Sequence, residues 1–162
     1  VRAPPLTPLA AALLHVPAPE RALVVGCGDG EAVLLLAREF PTARIRGVDP
    51  SAELVRQASA RVGLDPEGRV AFKLGKPSGL PYPDAFFDLV AQVDGHPRPG
   101  ELTRVLKPGG SLVLVGSAPA GLFPDARARL LRRRLARSGI TPVLADNAGD
   151  GNFFVGRFGD AG

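Results

Sequence analysis

The residues that could do chemistry in this chain fall at a few well-spaced places. Gly26, Gly28 and Gly30 alternate in the stretch Ala22 to Gly30, ALVVGCGDG, with Cys27 among them. Asp49 follows nineteen residues after Gly30, and Lys76, Asp94 and His96 come later. A glycine turn of this kind brings bare backbone N–H groups up to a ligand, because glycine accepts positive φ and has no Cβ to hold the ligand away. Asp49 is placed to accept hydrogen bonds from both hydroxyls of a ribose. His96, two residues beyond Asp94, is a candidate general base at the mouth of such a site. Beside Pro97 it also reads simply as an exposed loop histidine. Cys27, close to a helix N-terminus, has a position that can lower a thiol's pKa.

The spacing narrows the ligand. A nicotinamide or flavin fold needs glycine or alanine three residues after Gly28, where this chain has Glu31, and a carboxylate there would repel a pyrophosphate. No Gly-Lys-Ser or Gly-Lys-Thr is present, which excludes a P-loop. A nucleoside ligand without phosphate remains.

These residues need elements to position them. Ala22 to Val25 is a continuous apolar run, the pattern of a strand buried on both faces. Helix patterns cover Pro8 to His15, Glu31 to Phe40, Ala52 to Arg61 (capped by Ser51), Glu101 to Leu106 and Asp125 to Arg137. Further strands are expected at Arg44 to Val48, Arg69 to Leu74, Phe86 to Val93, Ser111 to Val115, Ile140 to Ala145 and Asn152 to Phe158. Gly75 to Asp84 and Asp94 to Gly100 read as loops, Lys107 to Gly110 as a turn, and Asn147 to Gly151 as a hairpin-type loop. Strands alternating with helices imply an α/β, doubly wound, Rossmann-like sheet, mostly parallel, with an antiparallel C-terminal hairpin strand. Gly26 to Gly30, Asp49, Gly75 to Pro77 and Asp94 then converge on one crevice at the strand ends.

A length of 162 residues fits a single domain, and 45% apolar with 22% charged residues is an ordinary globular composition. The net charge of +4 comes largely from arginine. One cysteine excludes an internal disulfide, and His15 and His96 are too far apart in sequence to make a metal site, so no metal is expected. Leu9 to Val16 is apolar but far short of the roughly 20 residues that span a bilayer. Arg2 and Ala18 around it faintly imitate a signal peptide, but a short helix packed on the domain is the better reading, and no membrane partner and a cytoplasmic location are expected. Arg127, Arg129, Arg132, Arg133, Arg134 and Arg137 give the late helix a dense positive face. With no aromatic residues interleaved to stack bases, that face reads as solvated rather than as a nucleic-acid dock.

Four motifs in order, GCGDG (Gly26 to Gly30), GVDPS (Gly47 to Ser51), LPYPDAFFDLV (Leu80 to Val90) and RVLKPGGSLVLV (Arg104 to Val115), carry a family resemblance. From about Pro8 to Phe158 the chain resembles the class I S-adenosylmethionine-dependent methyltransferases, particularly the small-molecule group related to ubiquinone and sterol methyltransferases. The resemblance implies one domain over residues 1–162, with an N-terminal helical segment at 1–20 and a core at 21–158, and a seven-stranded sheet with a reversed final strand. It implies that the loop of Gly26, Cys27, Gly28 and Gly30 takes the methionine portion of S-adenosylmethionine, which leaves as S-adenosylhomocysteine. Asp49 would take the ribose, Pro50 and Pro77 the faces of the adenine, and the strand end at Val93 and Asp94 the region around the sulfonium. Family members often have cysteine where Cys27 stands, which makes it a small residue tolerated in a tight loop. Phenylalanine is common where Tyr82 stands, which makes packing its expected role.

The chain departs from the family at three places. Val24 occupies a position that usually carries an acidic residue. Lys76, among the residues expected to border the cofactor, stands where an aspartate commonly accepts from the adenine amino group, and a lysine has only donors. The segment Asp94 to Glu101 is compressed, with no inserted lid. The expected function is methyl transfer to a small-molecule acceptor; the alternative is an inactive methyltransferase-like scaffold that works through protein contacts, as a homodimer or with a partner protein.

Overall fold

The alternating strand and helix patterns form a sheet covered on both faces in the computed structural model, which describes residues 5–117 and 126–159. In chain order the elements are α1 (Leu6–Leu13), β1 (Arg21–Val25), α2 (Glu31–Glu39), β2 (Arg44–Asp49), α3 (Ala52–Val62), β3 (Val70–Leu74), β4 (Phe87–Val93), α4 (Pro99–Val105), β5 (Leu106–Gly116), α5 (Ala126–Arg137), β6 (Ile140–Ala148) and β7 (Gly151–Phe158). The seven strands lie in the order β3-β2-β1-β4-β5-β7-β6. The first five are parallel, and β7 runs antiparallel to both β5 and β6. The final strand is therefore reversed, as expected, but it lies inside the sheet and β6 forms the edge.

Side-chain alternation along each strand divides the core in two. Ala22 and Val24 of β1 face α1 and α2, packing with Leu9, Leu13, Val33 and Leu36. Leu23 and Val25 face α4 and α5, packing with Leu102, Val105 and Leu135. Burial on both faces explains why the central strands lack polar alternation. The C-terminal hairpin is the exception: β6, at the edge, is mostly exposed, while β7 is buried over its first six residues.

Local chemistry sets the boundaries. Gly30 at φ +97° opens α2, the Ser51 hydroxyl accepts from the Leu54 N–H at 3.2 Å to cap α3, and Pro99 occupies the first turn of α4. α1 begins at Leu6, before Pro8, because a proline inside the first turn has no intrahelical donor to lose. β5 begins at Leu106, before the expected turn, because Leu106 pairs with Phe87. Lys107 to Gly110 then bulges out, with Gly109 at φ +84°, and pairing resumes at Ser111 opposite Leu89. β6 continues to Ala148, leaving a two-residue Gly149-Asp150 turn whose first residue has φ +59°, as a type II′ hairpin requires. Asp125, the expected start of α5, lies outside the described residues.

Among the described residues no helix is long and apolar enough to cross a membrane. β1 lies between β2 and β4, so the chain leaves β1 toward one side of the sheet and later returns on the other. The crevice beyond the carboxyl ends of these strands is the switch point where such folds bind ligands.

Candidate functional site

The three glycines after β1 do different work. Gly26, at φ +75°, brings the chain against β4, and a Cβ there would lie 2.8 Å from the Val93 carbonyl oxygen. Gly30 seats α2 against α3 and β3, where a Cβ would press on Ala58 at 3.2 Å and Phe72 at 3.4 Å. Gly28, at φ +55°, faces open space: a Cβ built on it meets nothing within 4 Å. Packing thus explains Gly26 and Gly30. Gly28 has no packing reason to lack a side chain; its left-handed backbone favours glycine and leaves the space above it open.

The expectation of bare backbone donors needs correction. The Gly26 and Cys27 N–H groups both donate to the Val48 carbonyl, at 2.9 and 3.1 Å, and the Gly30 N–H donates to the Cys27 carbonyl at 3.0 Å. The Gly28 N–H donates to Asp49 Oδ2 at 3.1 Å. The loop is closed by its own hydrogen bonds and does not cradle an anion with these donors.

Asp49 is the hinge of the site. Its side chain reaches back to Gly28, its Oδ1 accepts from the Ser51 N–H at 2.9 Å, and its carbonyl accepts from the Gly75 N–H at 3.1 Å. The residue is 8% exposed. A carboxylate offers about four lone-pair sites; two are taken, and the others remain for a ligand. The turns after β1, β2 and β3 are therefore tied to a single aspartate. Gly75 contributes by its size, since a Cβ there would meet Val48 and Pro81 at 2.8 Å.

At the end of β4, Asp94 adopts φ +54°, a conformation few residues other than glycine tolerate and aspartate tolerates better than most. Its N–H donates to the Val115 carbonyl at 2.9 Å, and its Oδ1 accepts from the Ser117 N–H at 3.0 Å and the Ser117 hydroxyl at 2.9 Å. Gln92 Nε2 donates to the Asp94 carbonyl at 3.3 Å. Sequence reasoning missed Gln92 and Ser117. A polar residue interrupting an apolar run at a strand end was the available signal.

The remaining candidates spread around this centre. Pro50 is exposed beyond β2 and Pro77 is half-buried. Pro77 lies in the turn Lys76 to Gly79, closed by the Gly79 N–H donating to the Lys76 carbonyl at 3.0 Å. Lys76 is exposed and has no ion-pair partner among the described residues. His96 is exposed, and among the described residues no hydrogen bond orients its ring. Val24 is fully buried in the core facing α1 and α2.

The idea of a thiol activated by its position does not hold for Cys27. Its side chain is 3% exposed in that same core, and burial, followed by the negative charge of Asp49, pushes the thiol up to about 12. Tyr82 packs as expected, edge-on to Phe87 with ring centroids 5.0 Å apart. Near the mouth, Arg61 holds Asp29 at 3.0 Å and Glu31 at 3.7 Å, so both acidic residues of the loop turn toward α3.

Comparison with known proteins agrees with this geometry. Residues 22–110 match the methyltransferase domain family. The 27-O-demethylrifamycin SV methyltransferase of Amycolatopsis mediterranei (strain S699) is 34% identical over 152 residues, covering 86% of this chain and 54% of that protein. The demethylmenaquinone methyltransferase of Deinococcus radiodurans is 33% identical over 149 residues, covering 86% of this chain and 60% of that protein. The chain thus spans little more than half the length of these relatives. Among solved structures, a SAM-dependent methyltransferase from Aquifex aeolicus superposes with a TM-score of 0.74 at 18% identity, covering 94% of this chain and 90% of that one. By sequence match and strand order together, the chain belongs to the methyltransferase domain family and has the class I S-adenosylmethionine-dependent methyltransferase fold.

Proposed function

We propose that this chain binds S-adenosylmethionine across the Gly26–Gly30 loop and Asp49 and transfers its methyl group to a small-molecule acceptor at the ends of β4 and β5. The observation that carries the reading is the coupling of Gly28 to Asp49. The loop residue with open space above it is hydrogen-bonded to the carboxylate that has lone pairs to spare. With the nearby N–H groups engaged and carboxylates on both flanks, the crevice suits a cationic nucleoside better than a phosphorylated one.

Bound there, S-adenosylmethionine supplies an already activated methyl group on sulfur. The chain's own task is mainly alignment. Asp49 accepts from the ribose hydroxyls, held in place by the Gly28 and Ser51 N–H groups, and Gly28 admits the ligand close to the backbone. Pro50 and Pro77 flank the adenine, with Lys76 on the rim of that pocket. Asp94, locked to Ser117, sets the acceptor end, and its carboxylate, with the Val93 carbonyl, gives that end a negative lining. His96 is the nearest candidate to take a proton from the acceptor, on its position two residues beyond Asp94. The same proposal treats the chain as one domain, with α1 as an N-terminal segment packed on the core at 21–158, and places it in the cytoplasm.

Calorimetry with S-adenosylmethionine and S-adenosylhomocysteine tests this directly. Both are expected to bind, and Asp49→Ala to bind at least about tenfold more weakly for the loss of charge-assisted hydrogen bonds. Absence of binding at millimolar ligand would return the chain to the scaffold alternative.

A further inference from the structure

The described arginines of α5 are exposed, as a solvated face requires, and two of them also line a cleft. Arg134 and Arg137, in its last turn, join Arg98 at the start of α4 around a cleft of about 400 Å³. Ser78, Glu101 and Ser138 complete its polar wall. We propose that this cleft binds the phosphate or diphosphate group of a small molecule, at a site separate from the loop that takes the cofactor.

Three features carry the assignment. First, Arg98, Arg134 and Arg137 make no ion pair among the described residues, whereas Arg56, Arg61 and Arg104 each hold a carboxylate. All three are exposed around one open cleft, and a positive patch of this kind draws anions to it. Second, the one carboxylate in the wall is already engaged. Glu101 accepts from Arg104 Nε at 2.8 Å and Nη2 at 3.0 Å, and from the Leu80 N–H at 2.8 Å, so it does not compete for the three cleft arginines. Third, guanidinium forks match the oxygen geometry of phosphate, and the Ser78 and Ser138 hydroxyls add neutral donors.

The size fits a small ligand. The volume falls in the usual range for small-molecule pockets of roughly 300–1,000 Å³. Among the described residues, Arg134 and Arg137 are the only α5 arginines that reach the cleft, and no aromatic side chain lines it to stack a base.

Inorganic pyrophosphate, titrated into the protein by calorimetry at low ionic strength and without cofactor, is the probe. It is expected to bind with a dissociation constant below about 1 mM. Arg98→Ala, Arg134→Ala and Arg137→Ala are each expected to weaken it about fivefold or more. Arg133→Ala, which removes the same charge from α5 outside the cleft wall, should leave it unchanged. Circular dichroism of each variant confirms that the fold is retained. No binding at about 10 mM pyrophosphate overturns the proposal, and so does an Arg133→Ala effect equal to that of Arg134→Ala. In a parallel arm, a single-stranded oligonucleotide that displaces pyrophosphate with an affinity rising with its length would assign the surface to nucleic acid instead.

Discussion

Replacing Gly28 by alanine separates what the loop costs from what it does. In the protein alone the added methyl group touches nothing within 4 Å, so the penalty is confined to the backbone, where φ is +55°. A left-handed conformation costs an L-residue about 1–2 kcal/mol, and the lower entropy of an unfolded chain carrying alanine returns about 0.5 kcal/mol or more. The net loss is about 1 kcal/mol, or a fall in melting temperature of roughly 2–4 °C for a domain of this size. If the cofactor lies against Gly28, the same methyl group occupies its space. Overpacking of that kind costs about 1–3 kcal/mol, equivalent to a loss of affinity of roughly tenfold to a hundredfold. Gly26→Ala is the contrast, because its Cβ would sit 2.8 Å from the Val93 carbonyl oxygen and force backbone to move. It should lose about 3 kcal/mol of stability, the sum of the left-handed and overpacking terms. Urea unfolding and calorimetry with S-adenosylhomocysteine read the two quantities. If Gly28→Ala bound S-adenosylhomocysteine as the parent does while melting a few degrees lower, the ligand would not cross this loop and the placement of the cofactor would be wrong.

Two other perturbations follow from the same structure. With its thiol buried and pushed up to about 12, Cys27 should stay unreactive toward a disulfide reagent at pH 8 in the native protein and react with one equivalent in urea; fast native labelling would contradict its burial. Arg104→Met should cost about 2 kcal/mol, because Arg104 donates to the carbonyls of Leu80 and Tyr82 and to the carboxylates of Asp84 and Glu101. The Arg104 guanidinium holds the Glu101 carboxyl below the ordinary value of 4.5. A carboxylate lowered in the folded state adds stability above that ordinary value and loses it as pH falls through the folded one. Unfolding midpoints measured between pH 6 and 3 should therefore decline more steeply for the parent than for Arg104→Met, and parallel curves would remove the ion pair from the account.

What could be read in the sequence was what depends on neighbours along the chain. Ala22 to Val25 announces a buried strand by composition, Ser51 announces a helix start, and the spacing from Gly30 to Asp49 is that of one helix and the strand after it. The state of the loop donors was not legible, because the Val48 carbonyl that takes two of them belongs to the neighbouring strand and its register is a tertiary fact. The same holds for the start of β5. Lys107 to Gly110 has the composition of a turn and is one locally, yet Leu106 before it joins the sheet because Phe87 is there to pair with it. The cleft at Arg98, Arg134 and Arg137 draws on segments that only packing brings together. On α5 alone the arginines read as a solvated surface, and those whose burial is described are exposed.

The compressed loop after β4, read from the sequence as a deficiency, takes on a different character in the structure. Only residues 94–98 separate β4 from α4, and so short a reversal places Asp94 at φ +54° and Gly95 at φ +73°. Next to them Gln92 is 3% exposed, and its Oε1 has no hydrogen-bonding partner among the described residues. An orphaned buried acceptor costs about 1–3 kcal/mol and a left-handed aspartate about 1–2 kcal/mol more. Ala85 is also left-handed at φ +50°, but its N–H donates to the Arg104 carbonyl in the turn that Arg104 clamps, where fold stability accounts for it. Asp94 is held in the same way, by its N–H on the Val115 carbonyl, whereas nothing comparable accounts for the Gln92 Oε1. The Ser117 bonds to Asp94 hold the ends of β4 and β5 together and keep the arrangement from relaxing. Strain held at one strand end, beside the carbonyl that Gly26 packs against, fits the acceptor end of the function proposed above. Under the function proposed above, a loop this short and this firmly tied would align an acceptor without closing over it.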